Sequence, residues 1–100
     1  NGAYFLEQMQ RLRELPIVGD VRGLGMWTCV DFTADKKTKA PFKDGTVQAI
    51  ANRMAELGVL GGEEGTAIEF APAYTASREQ LDQCVDVTEQ AILEIAKNIA

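Results

Sequence analysis

The sequence predicts an α+β domain in which a small, mainly antiparallel sheet of about 3–4 strands carries helices on one face. Three observations lead there. Apolar residues recur at helical spacing over 3–15, 46–57 and 78–99, they alternate at strand spacing over 25–32 and 66–71, and glycine or proline punctuates the joints. With 100 residues, 46% of them apolar and 25% charged, the chain fits one domain spanning 1–100 and not a disordered segment.

The first element, "AYFLEQMQRLREL" (3–15), sets Phe5, Leu6, Met9, Leu12 and Leu15 on one helical face, and Pro16 stops it. "IVGDVRG" (17–23) reads as a short β segment. "GMWTCVDF" (25–32) is a clearer strand, rich in aromatic and β-branched residues. Its alternation sorts Met26, Thr28, Val30 and Phe32 to one side and Trp27, Cys29 and Asp31 to the other. A polar loop, 33–43, follows.

Asp44 is placed to cap a helix over 46–57 that buries Val47, Ile50, Ala51, Met54 and Leu57, and Gly58 is placed to end it. "VL" (59–60) reads as a very short strand, "GGEEG" (61–65) as a turn, and "TAIEFA" (66–71) as a strand closed by Pro72. Ser77 and Gln80 fit a capping box, in which each side chain satisfies an orphan amide at the start of a helix. That last helix, about 78–99, carries Leu81, Cys84, Val85, Thr88, Ala91, Ile92, Ile95 and Ile99 in one stripe.

Composition excludes several functions. A net charge of −5 argues against nucleic acid and against a bare anionic membrane surface, both of which need clustered cations. Lys36, Lys37, Lys39 and Lys43 read as a solvated loop. There is no histidine, and neither Cys29 nor Cys84 belongs to a CxxC pair, so no metal site and no Cys–His nucleophile is expected. Two buried free thiols suit a reducing, cytoplasmic compartment. No apolar run is long enough to cross a bilayer, and no signal peptide opens the chain. The chain starts inside a helical pattern without Met, which suggests a piece of something longer.

The candidate chemistry is thin when taken residue by residue. "GLG" (23–25) lacks the rest of a phosphate-loop signature, and Glu63 and Glu64 in "GGEEG" would repel a phosphate. Glu63, Glu64 and Glu69 invite a paired-carboxylate reading. Alternation opposes it by placing Glu69 with Ala67 and Ala71 on the solvent side of a strand whose other side carries Ile68 and Phe70. No catalytic set can be assembled.

Order and motif say more. "VGDVRGLGMWTCVDF" (18–32) resembles the V-R-G-x-G-[LM] segment of class III aminotransferases, the pyridoxal-phosphate enzymes of the aspartate-aminotransferase fold type. "DKKTKAPF" (35–42), "ANRMAELGVL" (51–60) and "IEFAPAYTASREQLDQCVDVTEQAI" (68–92) resemble that family's later segments in the same order, with Ala73 where the family pattern has a second proline. The resemblance covers about nine-tenths of the chain.

It implies the C-terminal small domain of a larger, homodimeric transaminase that moves an amino group from an amine or amino acid to a keto acid. In that family the large domain holds the Schiff-base lysine and most of the pyridoxal 5'-phosphate site, so the resemblance implies no catalytic residue and no cofactor site in this chain, which alone should be inactive. The small domain closes over the substrate, and Arg22, Gly23 and Gly25 would form a wall of the site entrance. The plainer reading of those residues is a glycine turn with Arg22 paired to an acid. Family members place a carboxylate-gripping arginine at the position of Gly62 or of Glu69. Neither is arginine here, which implies an amine donor or a carboxylate grip supplied elsewhere. The rival reading of the whole chain is a free-standing small-ligand or interaction module of the same architecture.

Overall fold

The computed structural model describes residues 2–42, 45–72 and 75–99. The first helix, α1 (Gly2–Gln10), buries Phe5 and Met9. It tightens into a single 3-10 turn, Arg11–Glu14, that buries Leu12. The expected helix over 3–15 is therefore shorter. Its last turn is squeezed ahead of Pro16, and Leu15 is already extended.

Two strands follow, β1 (Val18–Leu24) and β2 (Trp27–Phe32), paired antiparallel through a turn in which Gly25 has a φ of 61°. The register shifts between Val18 and Asp20. This bulge lets Val18 and Val21, three residues apart, both point into the core, where both are buried. On the outer side of β1 the Val21 carbonyl accepts hydrogen bonds from Gln10 Nε2 at 3.2 Å and Arg13 Nη2 at 2.6 Å.

The second helix, α2 (Thr46–Glu56), buries Val47, Ile50, Ala51 and Met54 as its spacing predicts, while Leu57, also expected on that face, caps the helix and is only partly buried. The expected cap Asp44 lies outside the described residues, as does Lys43 of the preceding loop. Gly45, which precedes the helix, is left-handed. The helix ends as expected at Gly58, whose φ is 96°. There Gly58 N–H donates to Ala55 O at 3.0 Å and Val59 N–H to Met54 O at 2.9 Å, the paired bonds of a glycine-terminated helix.

Beyond it the expectation needs correcting. Residues 59–60 are not a strand, and 61–65 is not simply a turn. The strand is β3 (Gly62–Glu64), and the turn lies at 65–66, where Gly65 has a φ of 69° and its N–H donates to the Glu63 carboxylate at 2.9 Å. Pairing with β4 (Ala67–Phe70), not intrinsic preference, makes Gly62–Glu64 a strand.

The sheet order is β1-β2-β4-β3, antiparallel throughout. The final helix, α3 (Arg78–Lys97), opens on the predicted capping box: Gln80 N–H donates to Ser77 Oγ at 3.1 Å, and Ser77 N–H donates to Gln80 Oε1 at 2.8 Å. Its stripe buries Leu81, Val85, Thr88, Ala91 and Ile92, while Ile99 lies past the helix end and is exposed. One continuous core joins Leu81, Val85, Ala91 and Ile92 to Phe5, Met9, Leu12, Val21, Val30, Ile68, Phe70, Ile50 and Met54. Arg53 and Glu94 tie α2 to α3 through two hydrogen bonds of 2.7 and 3.3 Å. Tyr4 Oη donates to Asp82 at 2.5 Å under the guanidinium of Arg78, joining α1 to α3.

Candidate functional site

Strand alternation divides the sheet into a face that meets the helices and a face that does not. The helix side is built from the cross-strand sets Val21–Val30–Ile68 and Gly23–Thr28–Phe70. The other side is laid out in rows by the register. Asp20, Asp31, Ala67 and Glu64 form one row, Arg22, Cys29, Glu69 and Gly62 the next, and Leu24 pairs with Trp27 at the far end.

Four of the five residues singled out from sequence lie on or beside this open face. Arg22, Glu69 and Gly62 share one row across all four strands. Gly25 forms the β1–β2 turn. Gly23 does not belong there: it pairs with Thr28 on the helix side, and a Cβ at Gly23 would lie 2.4 Å from the Trp27 carbonyl and 3.2 Å from Leu6. Its glycine is required by the backbone of the paired strand β2, with Thr28 and Leu6 of α1 crowding the same spot.

Arg22 is committed to acids, as the plainer reading expects. Its Nη1 donates to the Asp31 carboxylate and lies 3.6 Å from Asp20. Asp20 in turn meets Arg13 at 2.9 Å. Glu69, half-buried and opposite Gly62, makes no ion pair among the described residues. Between Arg22 and Glu69 lies Cys29, which is only 2% exposed although no helix covers it. Burial pushes its thiol pKa up against the opposing pull of Arg22. Cys84, on α3, is pushed up to about 11 by burial, with a hydrogen bond to Thr88 acting the other way. Both cysteines are free thiols, Cys29 buried as expected and Cys84 only partly buried.

Alternation signalled the open face, but sequence reading missed how apolar its rim is. Leu24 is 83% exposed and Trp27 38%, while Leu60, 86% exposed, lies apart from the paired rows beside Phe70 and Cys84. The signal was available in Leu24 and Trp27, which flank a two-residue turn and so must pair side by side.

Two of the shallow grooves among the described residues lie near the sheet. One, of about 530 Å³, is lined by Arg13, Asp20, Asp31, Thr33, Lys39 and Thr66. The other, of about 400 Å³, lies between the end of α2 and the start of α3, over Val59, Leu81 and Cys84. Neither is lined by Arg22, Gly62 or Glu69.

The described residues do not suit a pyridoxal-phosphate centre. Lys36, Lys37 and Lys39 are exposed on the 33–42 loop and Lys97 is exposed in the last turn of α3, so none is enclosed as an imine-forming lysine would be. Among the described residues no group of three or more acids and thiols is placed to hold a metal, and no helix is long and apolar enough to cross a membrane.

Comparison with known proteins fits this incompleteness. Residues 1–92 match the family model described as aminotransferase class-III. A diaminobutyrate–2-oxoglutarate transaminase of Halomonas elongata is 32% identical over 99 residues, covering 94% of this chain and 21% of that protein. An isoleucine 2-epimerase of Lentilactobacillus buchneri is 34% identical over 99 residues, covering 95% and 21%. The crystal structure of an aminotransferase from Vibrio fluvialis, bound to PMP, superposes with a TM-score of 0.92 at 26% identity, over 99% of this chain and 22% of that one. The chain thus spans about a fifth of the length of the relatives it matches.

Proposed function

The chain belongs to the class III aminotransferase family, and from that premise we propose that it is the C-terminal, substrate-closing domain of a pyridoxal-phosphate aminotransferase. The parent enzyme transfers an amino group from an amine or amino acid to a keto acid. The cofactor supplies the electron sink, and it is held mainly by the large domain, outside this chain. The observation that carries this reading is the open face of the sheet. It presents Arg22, Cys29, Glu69 and Gly62 in one row, with no helix over them and no catalytic group among them. Such a face contributes a wall to a site and needs a second body to complete it.

On this reading the task of the hundred residues is to position and to exclude water, and the isolated chain is inactive. Arg22, anchored by Asp31, and the Gly25 turn stiffen the rim of the entrance. Glu69 and Gly62 face the substrate. The parent is a homodimer acting in the cytoplasm, a setting in which both thiols stay reduced.

The test is an assay of the complete parent, loaded with pyridoxal phosphate, against a panel of amines, amino acids and keto acids. Keto-acid-dependent loss of the donor amino group is the expected result. Inversion of an amino acid's α-carbon with no transfer would replace the reading with an epimerase, in line with one of the relatives. Separately, the isolated chain mixed with pyridoxal phosphate and borohydride is expected to gain no stoichiometric label on lysine; a stoichiometric one would refute its dependence on the large domain.

A further inference from the structure

Gly62 is the glycine that the fold itself does not require. At eight of the nine glycines, either an added Cβ would crowd or strike a neighbour or φ is positive. At Gly62 neither holds: a Cβ would meet nothing nearer than the Glu69 carbonyl at 4.0 Å. A glycine inside a strand weakens it, and where no internal contact demands one, it marks close approach by something external.

Here the approach is over the open face, next to one particular charge. Gly62 is the direct cross-strand partner of Glu69. The cation in that row, Arg22, sits two strands away and is already engaged by Asp31 and Asp20. A group descending onto Gly62 therefore meets a carboxylate that has no ion-pair partner among the described residues.

We infer that Gly62 and Glu69 form a specificity pair, in which the missing side chain makes room for the distal end of the amino donor and the carboxylate selects a second cationic group there. The favoured donors are diamines or amines with a distal ammonium, and donors with a distal carboxylate are disfavoured by like charge. This rests on the open face being the substrate side, as proposed above.

Three five-carbon donors that differ at the distal end test the pair: cadaverine, n-pentylamine and δ-aminovalerate, assayed with the complete, cofactor-loaded parent and with alanine as a control donor. The unmodified enzyme is expected to show kcat/KM in the order cadaverine, n-pentylamine, δ-aminovalerate. Glu69→Gln is expected to lower the cadaverine-to-pentylamine ratio about tenfold, the scale of one charged hydrogen bond. Gly62→Arg is expected to put δ-aminovalerate ahead of cadaverine.

A Glu69→Gln variant that slows every donor alike, leaving the ratio unchanged, overturns the specificity pair, as does an unmodified enzyme that prefers δ-aminovalerate. Turnover of alanine but of none of the three also overturns it while leaving the aminotransferase reading intact. No turnover of any donor removes that reading and the specificity with it.

Discussion

The two faces of the sheet are made by the same four strands, often by adjacent residues, and they follow different rules. Ile68 and Glu69 are neighbours in β4. Ile68 is fully buried among Val30, Met54 and the rest of the core, whereas Glu69 shares its row with Arg22, Cys29 and Gly62. On the helix side nearly every residue is explained by packing, including Gly23, which the Trp27 carbonyl of β2 leaves no room to enlarge. On the open side the fold explains little. Glu69, with no ion pair among the described residues, the exposed Leu24 and a glycine with space around it have no internal reason to be there. Stability is concentrated on one face, which leaves the chemistry of the other free to suit whatever lies above it.

That contrast can be broken most forcefully at Ile68. Ile68→Ala should cost about 2–5 kcal/mol by opening a core cavity, read from the denaturation midpoint. Glu69→Gln, one residue along, should stay within about 0.5 kcal/mol. Equal losses at the two positions would erase the distinction between the faces.

Alkaline pH sharpens it on the covered side. Cys84 has its pKa raised from 9.0 to about 11, so the neutral thiol is the form the fold prefers. Its contribution is complete below the unfolded pKa and is lost as pH climbs from about 9 through about 11, at up to ~1.4 kcal/mol per pH unit. Cys84→Ala should flatten that part of the stability–pH curve, and an unchanged slope would show that burial of Cys84 is not its source.

A smaller effect separates two glycines. Gly58→Ala forces a side chain into a left-handed turn and should cost about 1–2 kcal/mol. Gly62→Ala should cost nothing and gain up to about 1 kcal/mol, since alanine suits a strand better than glycine does. A marked loss at Gly62, measured by thermal unfolding, would mean that the fold needs that glycine after all.

The least effect on stability is expected at the exposed apolar side chains. The isolated chain should self-associate through Leu24, Trp27 and Leu60, and Leu24→Ser with Leu60→Ser should return it to a monomer in sedimentation, with unfolding unchanged within about 0.5 kcal/mol. A clean monomer at high concentration before any substitution would contradict this.

Periodicity made the three helices and the strands around Val30 and Ile68 legible, because a buried face imposes its period on the residues that fill it. It was least informative where the structure depends on a partner strand. Gly62–Glu64 has no strand preference of its own and becomes β3 only beside β4, so reading locally put the strand at 59–60 and a turn in its place. The bulge at Gly19 is equally invisible locally, since it exists in the pairing of β1 with β2. The capping box and the Gly58 stop were legible because each is a contact between residues a few positions apart. The candidate residues were found one at a time, and only the register showed that Arg22, Glu69 and Gly62 share a row, with Cys29 between them.

The Val21 carbonyl on the outer margin of β1, occupied by Gln10 and Arg13, bears on how such a domain fails. A neighbouring molecule hoping to lengthen the sheet would find that acceptor already taken on one side, and only the three residues of β3 to grip on the other. Sticking of this domain to its own kind should therefore saturate in small, dissolvable clumps held by leucine and tryptophan, instead of seeding fibres that grow end over end.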